Sequence, residues 1–423
     1  MTWPAPAWAQ YISQFFPSGV PGYQDETGVT VASRLRAPYE PQGVHVGDFL
    51  VHAGLGESLG YRSNVAGFAG APGSWFAETA PSATIVSDWS RDQLGAAVTV
   101  DNTRYFSTPK QDTTDWTVAI GGGYTIGREN LTAGYSHLSL HELPNAIGSP
   151  LSQTPIPYTV DDARLSYAFD QGRFKFIPRV DVQLYQYGDA TVLGVPISQS
   201  FDNRVVATAG VETHYALTDQ HSLLFVARGT ESRYTDTPAG QPTSNSQSIL
   251  ALGGIDYQAD GPWRYRLLVG VERRGFDAAQ YATHTAPIAE ASVIWTPTGL
   301  TTVTGTLSRT IEDATQLGTA GYTLTQGSVV VDHEYLRNVL LQAKGSLQAA
   351  DYLQGGTTQT SYSFGAGAQW LLNQHLRVAL TYSFTQQTGS RPGPGVPLAA
   401  ARGGYSYGNY NQNALLLTVR VAL

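Results

Sequence analysis

The sequence predicts an all-β fold: a closed antiparallel transmembrane β-barrel of about eighteen strands, with short periplasmic turns and longer extracellular loops. Three observations predict it. Charged residues make up 14% of the 423, well under the roughly 25% usual for soluble domains, yet mean hydropathy is slightly negative. No stretch approaches the roughly 18 unbroken apolar residues of a membrane helix, so the apolar residues must be dispersed. Segment after segment then alternates apolar and polar residues with period two. Finally, short and long connections between those segments alternate along the chain.

The alternation is plain in single segments. Trp263, Tyr265, Leu267, Val269 and Val271 share one face, with Arg264, Arg266, Gly270 and Glu272 on the other. Phe174, Phe176, Pro178, Val180, Val182 and Leu184 likewise oppose Lys175, Arg179, Asp181, Gln183 and Tyr185. A helical period would mix these classes on one stripe, whereas a strand separates them. A spanning strand needs about 9–11 tilted residues, and most segments reach that.

Short turns fall near Ser90–Asp92, Arg128–Asn130, Asp170–Gly172, Thr218–Gln220, Ala259–Pro262, Pro297–Gly299, Arg337–Asn338 and Leu372–Gln374. Between them lie longer, Gly/Pro-rich stretches near 64–78, 107–115, 143–157, 188–199, 236–246, 277–284, 314–320, 353–357 and 389–409. Sorting loops by side is the outer-membrane pattern, and an even strand count puts both chain ends in the periplasm. The last segment, Asn413 to Leu423, suits closure against the first, which removes both sheet edges.

Two regions follow: residues 1–47, a periplasmic, plugging or partner-binding segment, and the barrel over 48–423. The first holds an aromatic cluster of Trp3, Trp8, Tyr11, Phe15 and Phe16, then a Gly/Pro/polar stretch. It is expected to dock in the lumen, on the rim or on a periplasmic or membrane partner protein. Met1 is followed by neither a basic segment nor an apolar core, so a removed export signal is assumed.

The residue chemistry narrows function. With no cysteine, disulfides, thiolate metal sites and cysteine nucleophiles are excluded. A net charge of −8 argues against a nucleic-acid partner. Gly56-Glu57-Ser58-Leu59-Gly60 matches the serine-hydrolase elbow, but lies in a continuous strand pattern rather than a strand–turn–helix. His137, Ser139 and His141 share a face of the fifth strand. The two histidines stand roughly 13 Å apart, too far to clasp one ion, and the group reads as a polar stripe near the outer rim. No catalytic residue, metal or cofactor is assigned.

With the apolar set facing lipid, Lys175, Arg179, Asp181, Arg204, Glu212, Arg228, Arg264, Arg266, Glu272, Glu290, Lys344 and Arg377 are expected to line the lumen. A charge at mid-bilayer on the lipid face costs about 2–4 kcal/mol, which forces mid-strand charges inward. Arg164, Arg420, Asp162 and other acids join them, so the lumen is nearly balanced in sign. That points to a neutral, weakly charged or unselected solute, or to charges that pair as structural latches. Tyr185, Tyr187 and Tyr234 fall near the inward register and could stack on sugar rings. Arg104, Arg233, Arg273, Arg274 and Arg309 lie near outer strand ends, where they could meet lipopolysaccharide phosphates or pair with loop acids such as Asp277 and Asp313. The stretch 389–409 could fold inward or remain a surface loop.

Gly43-Val44-His45-Val46-Gly47-Asp48-Phe49-Leu50-Val51, running on to Gly60-Tyr61-Arg62-Ser63-Asn64-Val65, resembles the opening of a family of outer-membrane β-barrel porins. Ser87-Asp88-Trp89-Ser90-Arg91-Asp92-Gln93-Leu94 is similar to that family's first periplasmic turn. Trp295-Thr296-Pro297-Thr298-Gly299-Leu300-Thr301-Thr302, with Ser308-Arg309-Thr310-Ile311-Glu312-Asp313, resembles a later hairpin. The likeness spans most of 43–423. It implies a Gram-negative outer-membrane channel, for saccharides or small solutes or for exopolysaccharide export, and hands over no catalytic residues. The alternative is a plugged structural or assembly barrel that anchors partner proteins.

Overall fold

The structure, a computed structural model, describes residues 15–17, 19–23, 29–144, 146–149, 152–192, 194–258, 261–315, 319–354, 356–389 and 409–423. Trp3, Trp8 and Tyr11 lie outside the described residues, as does nearly all of the 389–409 stretch.

Nineteen strands share one sheet: eighteen long ones and the short Val44–Val46. The long strands are β1 (Phe49–Arg62), β2 (Ser74–Ser87), β3 (Gln93–Tyr105), β4 (Thr113–Ile126), β5 (Glu129–Glu142) and β6 (Ile156–Gln171). Next come β7 (Phe174–Tyr187), β8 (Arg204–Ala216), β9 (His221–Tyr234), β10 (Ser246–Tyr257), β11 (Trp263–Phe276) and β12 (His284–Thr298). Last are β13 (Thr301–Glu312), β14 (Tyr322–Leu336), β15 (Val339–Tyr352), β16 (Thr358–Leu371), β17 (Leu376–Gly389) and β18 (Tyr410–Ala422).

Each strand pairs antiparallel with the next, and β18 returns to β1 with Gly54 opposite Ala422 and Arg62 opposite Ala414. Closure leaves no sheet edge, so the ladders pair the backbone in the wall where lipid offers no partner. The turns on one side are tight. Gly127-Arg128 joins β4 to β5 and Gly172-Arg173 joins β6 to β7, with φ of 64° at Gly127 and 69° at Gly172. A two-residue hairpin that matches strand twist needs positive φ, which glycine adopts freely. On the other side the connections are longer, and that after β7 folds its own hairpin, Asp189–Val192 with Val195–Ser198.

The outer face follows the predicted alternation. Leu55, Leu59, Val118, Val180, Val269, Leu347 and Leu417 are exposed there. Aromatic pairs mark its margin at the tight-turn end: Trp263 stacks on Trp295 at 5.2 Å, and Phe49 meets Trp89 at 5.7 Å. Tyr61 and Trp75 pack edge to face near the other margin. Val269 lies at mid-strand on this face. Val269→Arg is therefore expected to cost about 2–4 kcal/mol of unfolding free energy in phospholipid bilayers, measured by reversible denaturant titration. A change below about 0.5 kcal/mol, the surface norm, would mean that this face does not meet lipid.

Candidate lumenal site

The inner wall is identified by contacts that span several strands, which only a concave face permits. Arg266 on β11 donates to both carboxylate oxygens of Glu212 on β8, at 2.9 and 2.8 Å. Arg228 on β9 lies 3.8 Å from Glu290 on β12. His214 Nε2 completes the Glu212 group at 2.7 Å. Arg164 bridges Asp162 at 2.9 Å and Asp181 at 2.8 Å. Arg204 and Arg274 both face Asp313, and Glu272 lies 3.8 Å from Arg274 Nε. Arg377 donates to Glu40 and to the Tyr39 carbonyl. Lys175 and Arg179 stand opposite His214 and Gly210 in register, Arg264 opposite Ile294 and Lys344 opposite Gly365. Arg164, Arg204, Arg228, Arg266, Arg274 and Arg377 thus each meet an acid, whereas Lys175, Arg179 and Lys344 lie in no ion pair among the described residues.

The N-terminal segment occupies part of this lumen. Gly95, Gly121 and Gly134 stand directly opposite one another on β3, β4 and β5, making a trench across three strands. A Cβ at Gly121 would lie 1.8 Å from the Pro21 carbonyl oxygen, one at Gly134 2.6 Å from the Tyr23 ring, and one at Gly95 2.8 Å from Pro21 Cδ. Only hydrogen at those positions lets the segment seat. Tyr23 OH then donates to Asp162 Oδ2 at 3.1 Å, and the Arg164 guanidinium lies 4.0 Å from the Phe16 ring centre and 4.9 Å from that of Tyr23. Val20 is fully buried with Ala119 and Leu138 in the same cluster.

The described stretch from Val29 lies against the opposite wall. Val31 NH donates to Thr302 Oγ1 at 3.0 Å, and its side chain is buried with Leu340 and Leu371. Arg36 donates to Glu334 at 2.8 Å. Val44–Val46 then pairs with Phe49–Val51 at the rim. The segment therefore reaches β3–β6 on one side and β13–β17 on the other.

Two outer connections also meet inside. Thr315 Oγ1 donates to Glu142 and to the Gly148 carbonyl, at 3.1 and 2.9 Å. Gly148 NH donates to Tyr352 OH at 3.1 Å. Ile147, Ala314, Tyr322 and Tyr352 form an apolar knot there. Beside it lies a cavity of about 290 Å³, lined in part by Arg164, Tyr185, Arg204, Arg228, Arg274 and Asp313.

The five outer-end arginines divide. Arg273 is exposed on the outer face, but Arg274 is buried and turned to the lumen, because adjacent strand residues point to opposite sides. The expectation that Arg274 meets lipopolysaccharide is corrected on that ground. Arg233 is held by Glu231 and Asp277, and Arg104 lies 3.8 Å from Asp112. Arg309 donates to the Pro287 carbonyl and to Thr325.

Tyr185, Tyr187 and Tyr234 face inward and share one arginine. Each lies against the Arg204 guanidinium, at 4.4, 5.6 and 5.6 Å from ring centre to Cζ. His137 Nδ1 lies 2.7 Å from Asp161 and His141 Nδ1 2.7 Å from Asp115. No hydrogen bond joins Ser139 to His137 among the described residues, and no metal-binding cluster occurs among them.

Sequence reasoning missed two apolar patches on the inner wall. Leu138, Leu140 and Val160 are one; Leu224, Leu250, Leu252, Leu268 and Ile288 are the other. Their signal is lost alternation, as in Leu223-Leu224-Phe225-Val226, since a strand covered on both faces reads as a continuous apolar run.

The family described as "Putative beta-barrel porin 2" matches residues 37–421. No curated protein matches the sequence. Among solved structures, the chain is similar to the outer membrane protein OpdK of Pseudomonas aeruginosa, at 9% identity and TM-score 0.45, over 88% of this chain and 99% of that one. It is similar to OccK2 (OpdF) of the same organism, solved in complex with glucuronate, at 12% identity and TM-score 0.47, over 89% and 98%. It is also similar to the FrpB iron transporter of Neisseria meningitidis, at 11% identity and TM-score 0.46, over 81% of this chain and 62% of that one. The chain thus spans about three fifths of FrpB's length, and these are likenesses of fold alone.

Proposed function

The chain belongs to this family of outer-membrane β-barrel porins, and from that premise we propose that it is a Gram-negative outer-membrane channel for small polar solutes, closed at rest by its own N-terminal segment. The observation that carries the reading is the seating of Pro21 and Tyr23 in the Gly95–Gly121–Gly134 trench. A barrel of eighteen strands is wide enough for an aqueous lumen unless something fills it, and a segment of the same chain lying in part of this lumen supports the closed reading. Among the described residues, its polar ties to the wall come mainly from Tyr23, Val31, Arg36, Tyr39 and Glu40.

The paired wall charges support neutral or weakly charged solutes, saccharides among them, over a strongly charged polymer. Export of an exopolysaccharide would need both the segment and the meeting of Thr315 with Gly148 to give way together. The occupied lumen also favours a second reading, a structural barrel that holds partners in the membrane.

Liposome swelling separates the two. Proteoliposomes carrying the chain without residues 1–43 are expected to swell in arabinose faster than in galactose, and slowest in raffinose, while the intact chain swells little. If neither form admits any sugar, the structural barrel is the better reading.

A further inference from the structure

The geometry points to a carboxylate-binding seat in the lumen, occupied in this structure by the channel's own Asp313. The inference rests on the channel reading and names the chemistry of one class of solute, small monocarboxylates such as uronic acids.

Asp313 is the first residue after β13 and belongs to the connection that folds into the mouth. Its carboxylate accepts from Arg274 Nη1 at 2.7 Å and from Ser232 Oγ at 3.2 Å, and lies 3.5 Å from Arg204 Nε. The three partners differ from Asp313 in one respect. Arg204, Ser232 and Arg274 stand on β8, β9 and β11, where ladder bonds fix them, whereas Asp313 sits on a loop. The seat is built into the wall, and its occupant comes from a connection rather than from a strand.

The wall side is also incompletely answered. Arg204 and Arg274 are both more than nine-tenths buried, yet neither Nε has a hydrogen-bond acceptor. Arg204 is further held by ring faces of Tyr185, Tyr187 and Tyr234, so its fork cannot swing away to water. Without Asp313, Arg274 would keep only Glu272 as a salt-bridge partner among the described residues, at 3.8 Å, and Arg204 would lose its ion pair; buried guanidinium groups so poorly answered are strongly unfavourable. The loop can therefore leave readily only when another anion arrives. A planar carboxylate matches the guanidinium fork, and the nearby Glu272 disfavours a dianion. The adjoining cavity of about 290 Å³ gives the rest of a small solute room.

A self-occupied seat lowers apparent affinity by the fraction of time it is empty, which makes the inference measurable. Galacturonate and galactose would be titrated calorimetrically into the full-length protein in detergent, with heat-modifiable migration as the check of folding. Asp313→Asn is expected to bind galacturonate about ten-fold more tightly than the unaltered chain. Adding Arg274→Gln should lose that gain, Arg274→Lys should keep part of it, and galactose should bind alike throughout. The seat is overturned if Asp313→Asn binds galacturonate no more tightly, if galactose gains equally, or if Arg274→Gln makes no difference. Binding that follows the expected order while every form stays closed in liposomes would sink the channel reading and leave the seat standing. Sugar flux without the binding differences would do the reverse.

Discussion

Deleting residues 1–43 is expected to turn a nearly silent barrel into a conducting one, with single-channel conductance in planar bilayers rising at least ten-fold. The deletion ends before Val44–Val46, so the rim pairing of that strand with Phe49–Val51 is kept. What it removes is material between opposite walls: the Pro21–Tyr23 seat on β3–β5 and the Val31, Arg36 and Glu40 contacts on β13–β17. The barrel itself should survive. Burial of Phe16, Val20, Tyr23 and Val31 contributes at most about 1.5–3 kcal/mol each, whereas the wall is closed by eighteen ladders that lipid makes obligatory. Steady current from the shortened chain, blocked by added oligosaccharide, would fit a diffusion pore. Continued silence with a folded barrel would place the closure in the outer connections that meet at Thr315 and Gly148, or point to the structural reading.

How far the molecule could be read from its residues depended on what each face touches. Lipid is a uniform solvent, so the outer face obeys one rule, and Val269, Val271 and Leu267 declared β11 without help from any other strand. Turn chemistry was legible only in part: Gly127 and Gly172 stand where positive φ is required, whereas the equally short Arg337-Asn338 connection uses neither glycine nor positive φ. The lumen has no single solvent. Part of it is water, part is Phe16, Val20 and Tyr23, and part is the loop end at Asp313. A rule that sends polar residues inward therefore fails at Leu138, Leu224 and Leu268, whose cover comes from elsewhere in the chain. The same limit explains Arg274, which an outer-end position alone could not orient. Nor could strand pattern reveal that Gly95, Gly121 and Gly134 share one row, because their alignment depends on the register of three strands together.

That row supplies the second large effect. Gly121→Val should expel the segment from the lumen while leaving the barrel intact, and should raise conductance nearly as far as deletion does. A valine Cβ would sit 1.8 Å from the Pro21 carbonyl oxygen, closer than any real pair of such atoms, and 3.1 Å from Val20 Cγ1, and its methyl groups would reach farther still. The nearest atoms belong to the segment rather than to neighbouring strands, so the wall has no reason to yield. Valine also favours a strand more than glycine does, so ladder stability should hold or improve. Gly134→Val tests the adjoining position, where the Tyr23 ring would stand 2.6 Å from the new Cβ. Limited proteolysis gives a readout independent of current: a segment out of its trench should be cut within residues 15–36, releasing a shortened barrel of unchanged heat-modifiable migration. A variant that remains protected and silent would show that the trench does not hold the segment in place, and the plug would have to be sought in the contacts of Val31 and Arg36 instead.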